Sequence, residues 1–157
     1  MGRFELTVYG ARREVEADPA TPLVYVLRNR LGLMGAKLGC GLEQCGACAV
    51  IADGEKVLSC VRAVSEFEAR AIVTVEGLAA GGELNPVQRA FLEAGAAQCG
   101  YCTAGLVVAL TAYLETAERP DRKGAVEALE GHLCRCGAHA DVLRAVDRLL
   151  AGAADGT

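Results

Sequence analysis

Eight cysteines stand at Cys40, Cys45, Cys48, Cys60, Cys99, Cys102, Cys134 and Cys136. Written as spacings they read C-x4-C-x2-C-x11-C and then C-x2-C-x31-C-x-C. Each half of the chain therefore carries four thiols, the number that one four-thiolate metal site takes. Free cysteine is often only a small buried hydrophobe, but chance placement in two such sets is improbable. In a reducing compartment thiols in this pattern are metal ligands rather than disulfide partners.

The two sets differ in what they could hold. A structural zinc usually takes two CxxC-type knuckles gripping from opposite sides. Cys99, Cys102, Cys134 and Cys136 come near that pattern, so zinc stays open there. The first set does not fit it, because three ligands come from one loop, GCGLEQCGAC at residues 39–48, and the fourth from elsewhere. That is the plant-type [2Fe-2S] spacing. Cluster and cysteinyl sulfurs carry negative charge, which inward-turned backbone N–H groups neutralise. Gly39, Gly41 and Gly46 supply the backbone freedom such a loop requires.

The elements that must position these thiols follow from periodicity. Phe4, Leu6 and Val8 alternate with polar residues, Gly10 and Ala11 intervene, and the alternation resumes around Val15, which predicts a hairpin. Thr21 and Pro22 read as cap and first residue of a helix whose apolar positions are Leu23, Val26, Leu27 and Leu31. Asp53-Gly54 predicts a tight turn between strands 49–52 and 56–58, and residues 71–75 a last strand. Residues 1–76 are thus expected to form a small mixed sheet crossed by one helix, and residues 77–84, GLAAGGEL, a linker. Over 85–157, Asn85, Pro86 and Gln88 form a helix start of capping-box type. Four apolar stripes follow: Val87, Ala90, Phe91 and Ala94; Leu106, Leu110, Tyr113, Leu114 and Ala117; Val126, Leu129 and Leu133; and Val142, Leu143, Val146, Leu149 and Leu150. They predict a compact four-helix bundle with its cysteines at helix ends.

Composition excludes several classes. The chain has 157 residues, 52% hydrophobic and 23% charged, which suits a globular protein with one ordinary core or two small ones. Residues 1–76 hold 9 basic against 10 acidic side chains, and 77–157 hold 7 against 10. With neither half basic and aromatics at 4%, a nucleic-acid partner has no support. The N-terminus alternates polar and apolar residues without an apolar signal core, and the longest apolar stretch, 104–114, is too short to span a bilayer. A cytoplasmic location is expected, with membrane association only through a partner.

GCGLEQCGACAV (39–50), QCGYCTAG (98–105) and LCRCG (133–137) resemble the signature of the small iron-sulfur subunit of molybdenum hydroxylases, the xanthine oxidase family. The likeness runs from Phe4 to about Leu150. It implies an α+β fold, a β-grasp plant-type ferredoxin domain followed by a four-helix domain, each holding one [2Fe-2S] cluster. Carried over by position, Cys40, Cys45, Cys48 and Cys60 would hold the ferredoxin-like cluster. Cys99, Cys102, Cys134 and Cys136 would hold the other, nearer the molybdopterin of a separate large catalytic chain, with the pterin expected in its cytosine dinucleotide form. Gln98, read alone, is a surface glutamine or helix cap; the resemblance implies that its amide, both donor and acceptor, hydrogen-bonds the pterin.

GLMGAKLGC and GLEQCGACAV are similar to the small subunits of nicotinate and isoquinoline oxidation, some of which pass electrons to a cytochrome instead of a flavin subunit. FAD or haem is therefore expected in a further partner. There are two departures from the family pattern: Ala104 replaces the usual proline, and the run Gly137, Ala138 and His139 follows CRC where a Thr-Gly-Tyr-like run is common. Neither is a ligand position. His132 and His139 are expected to be structural or solvent-facing, since the eight thiols already complete two sets. The expected role is an electron-transfer subunit of an oxidoreductase complex with no substrate chemistry of its own. A free-standing ferredoxin-type shuttle and a zinc-stabilised interaction module are the alternatives.

Overall fold

The computed structural model describes residues 1–154. Strand β1 (Gly2–Val8) pairs antiparallel with β2 (Ala11–Ala17). The turn is Tyr9-Gly10, both in the left-handed region at φ 53° and 73°, one position earlier than the alternation suggests, because Ala11 already pairs with Val8. Strands β3 (Ala49–Ala52) and β4 (Glu55–Leu58) form the expected hairpin on Asp53-Gly54, again with two left-handed residues. The last strand, β5 (Ala71–Val73), runs parallel to β1 and antiparallel to β3 and is two residues shorter than expected. The sheet order is β2-β1-β5-β3-β4, a β-grasp arrangement.

Helix α1 (Leu23–Asn29) crosses the sheet and buries Leu23, Val24, Val26 and Leu27 against Leu6, Val50, Phe67 and Ile72. It does not start as the sequence suggests: Pro22 is the extended residue before the helix, and no side chain caps it. The 59–63 segment supersedes the cap. Pro22 bridges Ala63, Leu23 N–H donates to the Arg62 carbonyl at 2.8 Å, and Val24 N–H donates to that of Ser59 at 3.0 Å. The donors left free at a helix start are thus satisfied by the strand end that carries Cys60.

Residues 77–84, expected as a linker, instead take part in 3-10 turns at Val75–Leu78 and Ala80–Gly82, with Gly81 and Gly82 at positive φ. Val75 and Leu78 pack against the bundle core as well as the sheet-facing cluster, which removes the slack of a linker. Among the described residues four helices follow: α2 (Pro86–Ala94), α3 (Thr103–Thr116), α4 (Arg122–Ala128) and α5 (His139–Ala154). The Asn85 capping box forms as expected, its side chain accepting from Gln88 N–H at 2.8 Å and its amide also donating to Thr111 on α3 at 3.0 Å. Asn85→Ala is expected to lower stability by about 1 kcal/mol, the usual worth of such a cap, checked by denaturant unfolding of the full chain.

Two of the bundle stripes behave differently from expectation. Helix α3 is buried from Gly105 through Ala112 on all sides, so it is not a one-sided amphipathic helix. One face, with Leu106, Val107 and Leu110, enters the bundle core; another, with Val108 and Ala112, lies on Ala49 and Ile51 of β3. Helix α4 ends at Ala128, so Leu133 falls in the following loop and is 62% exposed instead of joining the core.

Candidate metal centres

The first thiol set is assembled by the β-grasp half. Cys40 and Cys45 sit in the loop after α1, Cys48 just before β3, and Cys60 just beyond β4. The β3–β4 register, Ala49 opposite Leu58, brings Cys48 opposite Ser59, the residue before Cys60. Ser59 secures that end, its N–H and hydroxyl both donating to the Cys48 carbonyl, at 3.3 and 2.7 Å. The loop turns its amides toward sulfur: Leu42 and Gln44 N–H donate to Cys40 Sγ at 3.3 and 3.2 Å, and Cys40 N–H donates to Cys45 Sγ at 3.3 Å. Gly39 faces Cys45 Sγ at a distance no Cβ would tolerate.

The second set belongs to the bundle. Cys99 lies in the bend before α3, Cys102 is the residue preceding its first turn, and Cys134 and Cys136 occupy the loop from α4 to α5. Ala138 N–H donates to Cys134 Sγ at 3.3 Å, and Cys134 N–H donates to His139 Nε2 at 3.2 Å. His139 thus orients the loop, one of the structural roles expected for the histidines.

Within the sets, Cys40 neighbours Cys45 and Cys48 neighbours Cys60, while Cys99 neighbours both Cys136 and Cys134, and Cys102 both Cys134 and Cys99. Among the described residues no three His, Cys, Asp or Glu side chains are placed to hold a single metal ion. Environments diverge within the sets. Backbone N–H groups, that of Leu42 first, hold the Cys40 thiol down at about 7. Cys99 and Cys134 are lowered chiefly by the N–H groups of Tyr101 and Ala138. Burial, then the neighbouring thiol, raises Cys48 and Cys102. The raised thiols need a nearby cation to ionise, which a bound metal supplies. The donor set of each half, four thiols with backbone N–H groups turned on them, fits a thiolate-held iron-sulfur group. Two buried side-chain polar atoms among the described residues lack a protein partner, Thr103 Oγ1 beside Cys102 and His132 Nδ1 two residues before Cys134.

The two sets share a cleft of about 460 Å³ whose walls include Cys40, Cys45, Cys99, Cys102 and Cys134. Across it, Leu133 N–H donates to the Cys45 carbonyl at 3.0 Å, and the Tyr101 hydroxyl donates to that of Leu38 at 2.7 Å. Gly105 of α3 lies directly against the Gly46 carbonyl. Gln98 is exposed, adjacent to exposed Cys99. Sequence reasoning missed the junction residues Leu133, Tyr101 and Gly105, and Lys56 of β4, whose ammonium donates to the Ala128 carbonyl at the end of α4 at 3.0 Å. For Gly105 a signal exists, since a glycine inside a helix often marks close packing; for Lys56 there is none.

A profile described as "2Fe-2S iron-sulfur cluster binding domain" matches residues 6–75, and one described as "[2Fe-2S] binding domain" matches residues 74–147. One of the subunits of nicotinate dehydrogenase from Pseudomonas putida is 46% identical over 145 residues, 92% of either chain. The xanthine dehydrogenase iron-sulfur-binding subunit of Escherichia coli O157:H7 is 42% identical over 139 residues, 85% of this chain and 84% of that one. This chain belongs to the small iron-sulfur subunits of the molybdenum hydroxylases. Within that family, the crystal structure of quinoline 2-oxidoreductase from Pseudomonas putida contains a chain that superimposes with a TM-score of 0.89 at 35% identity, over 98% of this chain and 96% of that one. The family membership bears out the expected α+β fold and the role of an electron-transfer subunit of an oxidoreductase complex. No helix among the described residues is long and apolar enough to cross a membrane.

Proposed function

We propose that Cys40, Cys45, Cys48 and Cys60 hold one [2Fe-2S] cluster, and Cys99, Cys102, Cys134 and Cys136 a second, in units bounded near residues 76 and 85. The backbone amides turned on Cys40 Sγ, Cys45 Sγ and Cys134 Sγ are the observation that carries this reading, because inward N–H groups offset the negative charge of cluster and cysteinyl sulfur. When bound, such clusters accept and release single electrons. The chain's own contribution is to hold the thiolates, to turn amides on Cys40, Cys45 and Cys134 against their charge, and to join the two sets through the Leu133–Cys45 hydrogen bond. Iron and acid-labile sulfide are expected at about four each per chain, with a brown visible spectrum. Two of each, or a colourless zinc protein, would contradict the assignment.

The partner in this reading is a large molybdopterin-binding catalytic chain, with the pterin as a cytosine dinucleotide, and electrons leave to a flavin subunit or a cytochrome in the cytoplasm. Relatives named for nicotinate, xanthine and quinoline point to nitrogen heteroaromatic substrates for that partner's pocket. Exposed Gln98 beside Cys99 is the group offered to the pterin. Gln98→Ala is expected to leave the iron content intact and to weaken cofactor retention by about 1 kcal/mol, the worth of one hydrogen bond. Molybdenum retained per complex after gel filtration checks it, and unchanged retention returns Gln98 to an ordinary surface position.

A further inference from the structure

His132 stands where the two halves meet. It is 4% exposed, and its ring edge at Nδ1 lies against Gly46, the glycine following Cys45, so closely that a Cβ at Gly46 would collide with it. Its other nitrogen, Nε2, lies 3.5 Å from Lys56 Nζ on β4, and the same ammonium donates to the Ala128 carbonyl at the end of α4 at 3.0 Å. An ammonium can only donate, so Nε2 is the acceptor and the ring proton sits on Nδ1. That Nδ1–H has no partner among the described residues.

A buried N–H without an acceptor is costly, and an apolar ring would fill the same space without that penalty. What an apolar ring could not do is take the Lys56 tether, which ties the α4 end and the following loop to the sheet. Gly46 is thereby held from two directions, by the imidazole on one side and by Gly105 of α3 against its carbonyl. The preceding carbonyl, that of Cys45, accepts from Leu133, the residue between His132 and Cys134.

We propose that His132 is a positioning residue for electron transfer between the two thiol sets: wedged over Gly46 and tethered by Lys56, its imidazole sets how closely the Cys45 loop approaches Cys134. This rests on the two-cluster reading above. The test uses the assembled complex and electron paramagnetic resonance with both clusters reduced. Magnetic splitting between two such centres falls with the cube of their separation, whereas a residue that merely packs would lower the melting temperature and leave the splitting alone.

For His132→Ala the expected result is an unchanged iron and sulfide content, a smaller splitting, and several-fold slower transfer from one set to the other after rapid mixing with substrate. Intact iron with unchanged splitting and rate overturns the proposal. Should His132→Ala lose iron, Lys56→Met decides, since it keeps the imidazole and removes only the tether. A reduced splitting in that variant supports the proposal, and an unchanged one overturns it. Failure of the two-cluster reading shows separately, as an unmodified chain with fewer than two clusters.

Discussion

Removing one thiol from either set is expected to halve the iron, from about four to about two per chain, yet to stop electrons at different places. Cys60→Ala takes the ligand that stands apart from the Cys40–Cys48 loop. Its position beyond β4 is held by Ser59 and by the α1 donors, not by the bundle, so α2–α5 should stay folded. Substrate-derived electrons should still reach the Cys99 set, while steady-state transfer to the external acceptor collapses. Cys102→Ala breaks the other set at the residue that precedes the first turn of α3. The α4–α5 loop loses its shared centre with that helix, and binding energy coupled to folding is lost with it. The bundle should loosen, and the Cys40 set should stay oxidised when substrate is added. Electron paramagnetic resonance after one substrate addition reads both variants. Both outcomes follow if electrons pass from the Cys99 set to the Cys40 set, and rapid reduction of the Cys40 set in an assembled Cys102→Ala complex would overturn that order.

Gly105→Ala is the second large effect, and its sign is a contest. In a helix interior alanine is favoured over glycine by about 1 kcal/mol. At this position, however, a Cβ would press on the Gly46 carbonyl and lie 3.2 Å from Ala47 Cα. Both are backbone, and that backbone is pinned by Leu133 through Cys45 and by His132. No rotamer change can relieve the contact, so overpacking wins, with a net loss of about 2 kcal/mol. For a chain of this size that is a melting temperature lower by roughly 4–8 °C. Gly152→Ala at an exposed position of α5 serves as the control, because nothing lies within 4 Å of its Cβ position, and no loss is expected there. Equal melting temperatures for the two variants would mean that α3 can shift off the Cys45–Cys48 loop.

What could be read from the amino-acid order is what local chemistry governs. Thiol spacing sorts the cysteines into two sets of four, since ligands on one loop must lie within a few residues of each other. Asp53-Gly54 and Asn85 act through their own backbone neighbours, so the hairpin and the α2 start appear where the pattern puts them. The resemblance of three short motifs carried the family for the same reason: the motifs are the loops around the thiols.

Tertiary structure alone decided how the halves meet. The stripe on α3 suggested one buried face, but Val108 and Ala112 are covered by β3, a strand about sixty residues earlier in the chain. Pro22 gave up its place inside α1 because the Cys60 segment was there to accept the free donors. Leu133 left the core because α4 stops short, and its N–H instead joins the thiol sets through Cys45. His132 and Gly105 lie far in sequence from Gly46 and Lys56, and none has a spacing that announces the others. Their meeting follows from burying both faces of one helix between a sheet and a bundle, a long-range packing requirement that no local pattern encodes.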